Sequence, residues 1–167
     1  MRDAEAELLA EGEALLSRRE EVERAIMQRH RGSAAALRVR AAQAGRERER
    51  VRVELRRITE EADEAGSRGR DEDDEDPGYE RDVSEGFYEA RERLAQTDRE
   101  LVEMIAALER RAAQLRKEPV PAALTDLVGR REQVEAELRG WRGRCRRLGL
   151  ALSLPRFDEY AGAAMDD

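Results

Sequence analysis

Cysteine and histidine, the side chains best suited to nucleophilic and proton-transfer chemistry near neutral pH, each occur once in this sequence, as Cys145 and His30. Arginines flank Cys145 and would favour its thiolate, but no histidine or acid lies near it in the sequence. His30 likewise has no companion that would take or orient a proton. One cysteine and one histidine are also too few for a zinc site within one chain. We therefore expect a packed cysteine, no enzyme active site, no metal and no cofactor.

A run of six acids is the second group with chemical potential. An EF-hand loop starting at Asp71 would need glycine at its sixth position and glutamate at its twelfth, but Asp76 and Asp82 occupy them. Residues 60–85 carry a net charge of −10, so the rest of the chain is +3. The run therefore predicts either a solvated loop or an electrostatic contact with a basic partner. Its members are Asp71, Glu72, Asp73, Asp74, Glu75 and Asp76.

The stretch 138–157 has the opposite character, since it contains six arginines and no acid. Its apolar residues recur at helical spacing, which predicts an amphipathic basic helix with either an ordinary core stripe or a partner-binding face. Trp141 is large enough to anchor an interface. The tail beyond this helix is predicted either to dock on a partner or to fold back. The candidate partner-binding residues here are Leu138, Trp141, Arg142, Cys145, Arg146, Leu148 and, in the tail, Phe157.

Helices must position all of these groups. Charged residues make up 43% of the chain and aromatics 4%, and the apolar residues fall at helical spacing, as in long helices and coiled coils. Gly32 with Ser33, the segment 66–82 and Pro119 with Pro121 interrupt the pattern. The sequence predicts an all-α fold: a long antiparallel helical hairpin or coiled coil with a break in each arm, or alternatively a four-helix bundle. The predicted segments are a first arm at 1–65 broken near 32, an acidic flexible loop at 66–82, a second arm at 83–152 broken at 119–121, and a tail at 153–167.

The strictest repeat in the sequence has a period of seven residues and gives four further candidate partner contacts: Leu94, Leu101, Leu108 and Leu115. In a helix of a coiled coil, the line of residues that contacts the next helix is called its seam, and it is usually apolar. Three seam positions elsewhere in the sequence hold arginines: Arg19, Arg48 and Arg131. Alanines occupy other seam positions and bury little area. We therefore expect modest internal packing and a partner that covers more of the apolar surface.

The first ten residues alternate charged with apolar side chains, and no apolar stretch approaches the roughly 18 residues of a membrane span. A single cysteine fits a reducing compartment. These features predict a soluble intracellular protein, cytoplasmic or nuclear.

The pattern favours a non-enzymatic scaffold or adaptor, a subunit that binds helical partners as a hetero- or homo-oligomer. An acid-tipped helical hairpin also resembles the architecture of bacterial secondary-channel transcription factors, which would imply insertion into RNA polymerase with Asp71 to Asp76 as the working residues. A membrane-surface or nucleic-acid-associated basic helix is a third alternative. We expect neither a membrane nor a nucleic acid as the main partner.

Overall fold

The computed structural model describes residues 2–68, 77–115, 119–154 and 159–161, with side chains at 4–64, 86–115, 119–152 and 154. Helices are α1 (Arg2–Arg29), α2 (Ala34–Arg68), α3 (Pro77–Gln114) and α4 (Ala122–Arg147), followed by strands β1 (Leu152–Leu154) and β2 (Glu159–Ala161). Helix α1 packs on α4, and α2 packs on α3. The prediction of an all-α fold is confirmed, with two short strands that the sequence pattern did not indicate.

Two compact units divide the chain. The first, residues 1–39 and 112–167, which we call the base, contains the α1·α4 pair. In the base, Trp141 contacts Leu8, while further along the helices Arg131 contacts Glu23, so the two helices run antiparallel. The second unit, residues 40–111, which we call the arm, contains the α2·α3 pair.

The two helix breaks have local causes. At the first, the Ser33 hydroxyl accepts a hydrogen bond from the backbone N–H of Ala36 at 3.1 Å, so Ser33 caps the N-terminus of α2. At the second, Pro121 lies immediately before the first residue of α4, and its carbonyl accepts the N–H of Thr125 at 3.1 Å. Proline suits this position because the first helical turn has no intrahelical partner for its N–H groups.

The helices beside the acidic segment are longer than the sequence predicted. Helix α2 continues to Arg68 and α3 already begins at Pro77, so both ends of the predicted loop at 66–82 are helical. Proline is well tolerated as the first residue of a helix, where its fixed φ and missing N–H cost little. The central acidic run lies outside the described residues.

Helix α4 ends earlier than the predicted second helical segment, 83–152. Gly149 has a φ of 67°, in the left-handed region that favours glycine. Its N–H donates to the carbonyl of Arg146 at 3.0 Å, and the N–H of Leu150 donates to that of Cys145 at 2.9 Å. This pair of bonds is the Schellman termination. The chain then enters an antiparallel hairpin that pairs Leu152 with Ala161 and Leu154 with Glu159.

Packing differs between the two units. The base holds the described residues that are most completely buried, among them Trp141, Leu16, Ile26, Leu138 and Leu154. In the arm, the core cluster consists of only Ala44, Val51 and Leu101, each retaining some exposure, with half-buried neighbours. Each helix of the arm packs on one neighbouring helix, so the apolar side chains of the arm are buried less completely than those of the base.

Candidate interaction surfaces

Trp141, the predicted interface anchor, lies completely buried inside the base. Its indole N–H donates to the carbonyl oxygen of Leu8 at 2.8 Å. The ring lies directly against Gly12, where a Cβ atom would stand 2.4 Å from the indole Cζ2. Sequence reasoning did not identify Gly12 as the residue that Trp141 contacts. The available signal was a glycine at a seam position of the first helix.

Leu138 and Cys145 belong to the same internal cluster. Both are fully buried, together with Leu16 from α1 and Leu154 from β1. Burial raises the pKa of the Cys145 thiol, and the positive charge of Arg144 opposes the shift without overcoming it. The apolar face of α4 predicted to bind a partner therefore contacts the chain's own α1 and β1 in this structure. Leu154 also shows that the start of the tail folds back on the base.

The basic residues at the end of α4 lie at or near the surface. Arg146 is exposed and Arg142 is half-buried. Arg144 forms an ion pair with Glu11 of α1. Leu148, predicted to lie on the seam, is 61% exposed because the helix terminates there. This end of the base therefore presents positive charge beside one exposed leucine.

The seam arginines Arg131 and Arg48 form ion pairs between helices. The Arg131 Nε donates to a carboxylate oxygen of Glu23 at 3.1 Å, and Glu23 is only 3% exposed. In the arm, the Arg48 Nε donates to Asp98 at 2.9 Å. The third, Arg19, is itself buried. Each of the two pairs forms only when its helices are in this register.

The heptad leucines of α3 are covered only in part. Leu101 is buried in the arm, whereas Leu94 and Leu108 are half-buried. Leu115 is half-buried just after the helix ends, in the base. Leu94 and Leu101 therefore pack in one cluster with Val51 of α2, and the half-buried leucines of the repeat retain contact with solvent.

Several larger apolar side chains of the arm are exposed. Tyr88, Val102 and Met104 on α3 are 70%, 40% and 50% exposed, and Val53 on α2 is 36% exposed. Single exposed apolar residues are common on protein surfaces, so their arrangement carries the information rather than their number.

Two predicted sites fall outside the described residues: the acidic run Asp71 to Asp76 and Phe157. Within the described part of the chain, no group of three His, Cys, Asp or Glu side chains is arranged to hold a metal ion. Nor does any helix there combine the length and apolar character of a membrane span. No protein-family model, curated protein or solved structure matches the chain.

Proposed function

We propose that this chain is a non-enzymatic helical scaffold or adaptor subunit of an intracellular assembly, and that its arm binds a helical partner. The supporting observation is the contrast in packing between the two units. The base is closed around Trp141, whereas the arm keeps half-buried heptad leucines and exposed apolar side chains. A helix laid against the arm would bury this surface, at about 25 cal/mol per Å2 of apolar area.

This proposal shifts the predicted contacts. Trp141, Leu138 and Cys145 serve the stability of the base, and the partner contacts move to the arm, around Leu94 and Leu108. The base then contributes a stably packed unit, and the arm contributes the contacts with the partner.

Site-specific photo-crosslinking in the cells that produce the protein tests the proposal. A photoreactive residue replaces Val102 or Met104 in the arm, and Val120, exposed in the base, serves as the matched control. We expect adducts with a helical protein from the arm positions and not from Val120. The partner, purified separately, then co-elutes with the full chain at fixed stoichiometry. Equal crosslinking at all three positions, or a chain that sediments alone from cell extract, would refute the proposal.

A second function is favoured by one specific observation. Helices α2 and α3 pack together, and only the eight residues 69–76 connect them, six of which are acids. An acid-bearing hairpin of this kind suits insertion into a channel that holds a metal ion, as in secondary-channel transcription factors. Replacing Asp71 to Asp76 by serine tests it, since a polymerase regulator would lose activity whereas a scaffold would keep its complex.

A further inference from the structure

Helix α4 buries one line of side chains in the base and turns its other side to solvent. At about 100° per residue, four positions spaced by seven lie opposite the buried line. They hold only alanine or glycine: Ala122, Gly129, Ala136 and Gly143. The first three are exposed and Gly143 is half-buried, and no atom lies within 4 Å of a Cβ added at Gly129. The helix backbone is therefore open to close approach along this line.

The charges beside the small residues are sorted along the helix. Acids occur in its first half, at Asp126 and Glu132, and arginines in its second half, at Arg139, Arg146 and Arg147. All five are exposed, and none has an ion-pair partner among the residues that the structure describes. We call these five charged residues and the four small ones the outer face of α4. It has an acidic end and a basic end.

Two outer faces fit together as an antiparallel pair about a two-fold axis at Ala136. Residues equally far before and after Ala136 then stand level, so Gly129 of one copy meets Gly143 of the other. The distance between packed helices depends on the side chains at the contact. With only hydrogen atoms and methyl groups there, the two backbones approach closely over about four turns.

The same axis brings opposite charges together on both edges of the small residues. Glu132 lies four residues before Ala136 and Arg139 three residues after it, on one edge. Asp126 lies ten residues before Ala136 and Arg147 eleven after it, on the other edge. Each acid is therefore within one residue, about 1.5 Å along the helix, of the level of an arginine of the second copy. Each of these contacts occurs twice in the pair.

Charge also selects the register and the direction of the pair. The small residues superpose equally well when the axis lies between 132 and 133 or between 139 and 140. In those registers Glu132 or Arg139 meets the same residue of the other copy, and a parallel pair would set every charge against itself. Like charges in contact suppress wrong pairings. The outer face is therefore complementary to a second copy in the register centred on Ala136.

The charges on the edge of α4 toward α1 are largely matched within the base. Glu137 pairs with Arg18, and Arg144 pairs with Glu11. Arg130, which is exposed on this edge, would come near the Arg144–Glu11 pair of the second copy, whose charges already cancel. This edge therefore adds little repulsion to the pair.

The exposed apolar residues of the base also suit an antiparallel pair. Val120 precedes α4 and Leu148 follows it, and they are 59% and 61% exposed. Antiparallel pairing brings the start of one helix beside the end of the other. Val120 of one copy and Leu148 of the second then lie within about one turn of each other along the axis.

We infer that the outer face of α4 is a self-association surface, on which a second copy of this chain docks antiparallel about Ala136. The inference goes beyond the proposed function, because it concerns the base and not the arm. The unpaired charges determine register and direction, and the small residues allow the helices to approach.

Sedimentation velocity of the full chain tests the inference. At 100 μM protein and 50 mM NaCl we expect a species of about 38 kDa, twice the 19.0 kDa of one chain. Its dissociation constant should rise at least threefold at 300 mM NaCl, because salt screens surface ion pairs. Ala136→Gln should weaken self-association at least tenfold, since two glutamines would meet on the axis. Ala14→Gln, at an exposed alanine of α1, is the matched control and should change it less than twofold.

Charge reversal tests the contacts across the axis. Glu132→Arg and Arg139→Glu, each alone, should weaken self-association at least fivefold, because both copies of the ion pair become contacts between like charges. An equimolar mixture of the two variants should associate within twofold of wild type, since one chain then carries two arginines and the other two glutamates. Circular dichroism melts establish that each variant remains folded.

Cysteine crosslinking tests the register. A mixture of Gly129→Cys and Gly143→Cys chains should form a disulfide-linked dimer under mild oxidation. Either variant alone should not, because the two copies of residue 129 would lie about 21 Å apart along the axis. The native Cys145 is fully buried and does not compete.

Three results would overturn the inference: a chain that stays monomeric at 200 μM in 50 mM NaCl, equal losses from Ala136→Gln and Ala14→Gln, or mixed charge variants that fail to associate. Equal losses would assign association to another surface. None of these results bears on the scaffold proposal. An adduct between two copies at Val120 has twice the mass of the chain, so it is distinct from an adduct with a helical partner at Met104.

Discussion

Replacing Gly12 by alanine should destabilise the base, although glycine-to-alanine changes within helices usually stabilise. Gly12 lies within α1, and in open surroundings an added methyl group there would contribute up to about 1 kcal/mol through helix propensity. The new Cβ would instead lie 2.4, 2.7 and 2.9 Å from three carbon atoms of the Trp141 ring. None of these distances is tolerated by carbon atoms in contact, so the ring or the helix has to shift.

The magnitude follows from what holds the ring in place. Trp141 is fully buried, and its N–H bonds to the Leu8 carbonyl, one turn before Gly12. Overpacking a filled core costs about 1–3 kcal/mol, and loss of the indole hydrogen bond would add about 1 kcal/mol or more. After the propensity gain is subtracted, Gly12→Ala should lower the free energy of unfolding by about 1–3 kcal/mol.

Urea unfolding, followed by circular dichroism and by the fluorescence of the single tryptophan, measures this change. Gly129→Ala is the matched control, because Gly129 is an exposed helical glycine of the base with no atom near its added Cβ, and it should stabilise. In a Trp141→Phe background, whose smaller ring lacks the clashing atoms, Gly12→Ala should lose most of its cost. The reasoning is refuted if Gly12→Ala stabilises as Gly129→Ala does, or costs the same in both backgrounds.

Three further predictions concern the base. Arg131→Met should lower the free energy of unfolding by about 3 kcal/mol, because it removes the ion pair of the buried Glu23 carboxylate. Chemical denaturation measures this change. The control is Arg24→Ala, which removes an exposed ion pair and should cost less than about 1 kcal/mol. Leu154→Ala should cost about 2–5 kcal/mol, measured in the same way, and equal stability to wild type would show that β1 contributes nothing to the core. Because burial raises the pKa of the Cys145 thiol, the contribution of this thiol to stability should be constant below about pH 8.5, the usual thiol pKa in an unfolded chain, and should fall above it by at most about 1.4 kcal/mol per pH unit; Cys145→Ala should remove that slope, and a slope that persists would assign it to other groups.

The sequence by itself determined the features that depend on neighbours a few residues apart. Helical spacing of apolar residues indicated the four long helices, and Ser33, Pro119 and Pro121 marked their breaks. The heptad repeat identified Leu101 as a seam residue, since residues seven apart return to one side of a helix whatever lies opposite. These inferences held because helix geometry converts local sequence into a face without reference to the rest of the chain.

Only the tertiary structure decided what lies against each face. The seam positions of α4 and of α1 were visible, but that Trp141 packs on Gly12, or that Arg131 meets Glu23, depends on the register of two helices more than a hundred residues apart in sequence. The same periodic stripe on α4 would serve equally as a core or as a partner surface. Its burial by α1 and β1 settles which it is within this chain. Helix α4 ends at Arg147, and Gly149 adopts the left-handed conformation that terminates it. Leu148 therefore lies outside that core and is exposed, although it continues the apolar pattern of the helix. The periodicity of the sequence specifies which residues share a face of a helix, because that depends only on local helix geometry. Which residues pack against that face depends on contacts between distant parts of the chain, so only the tertiary structure shows them.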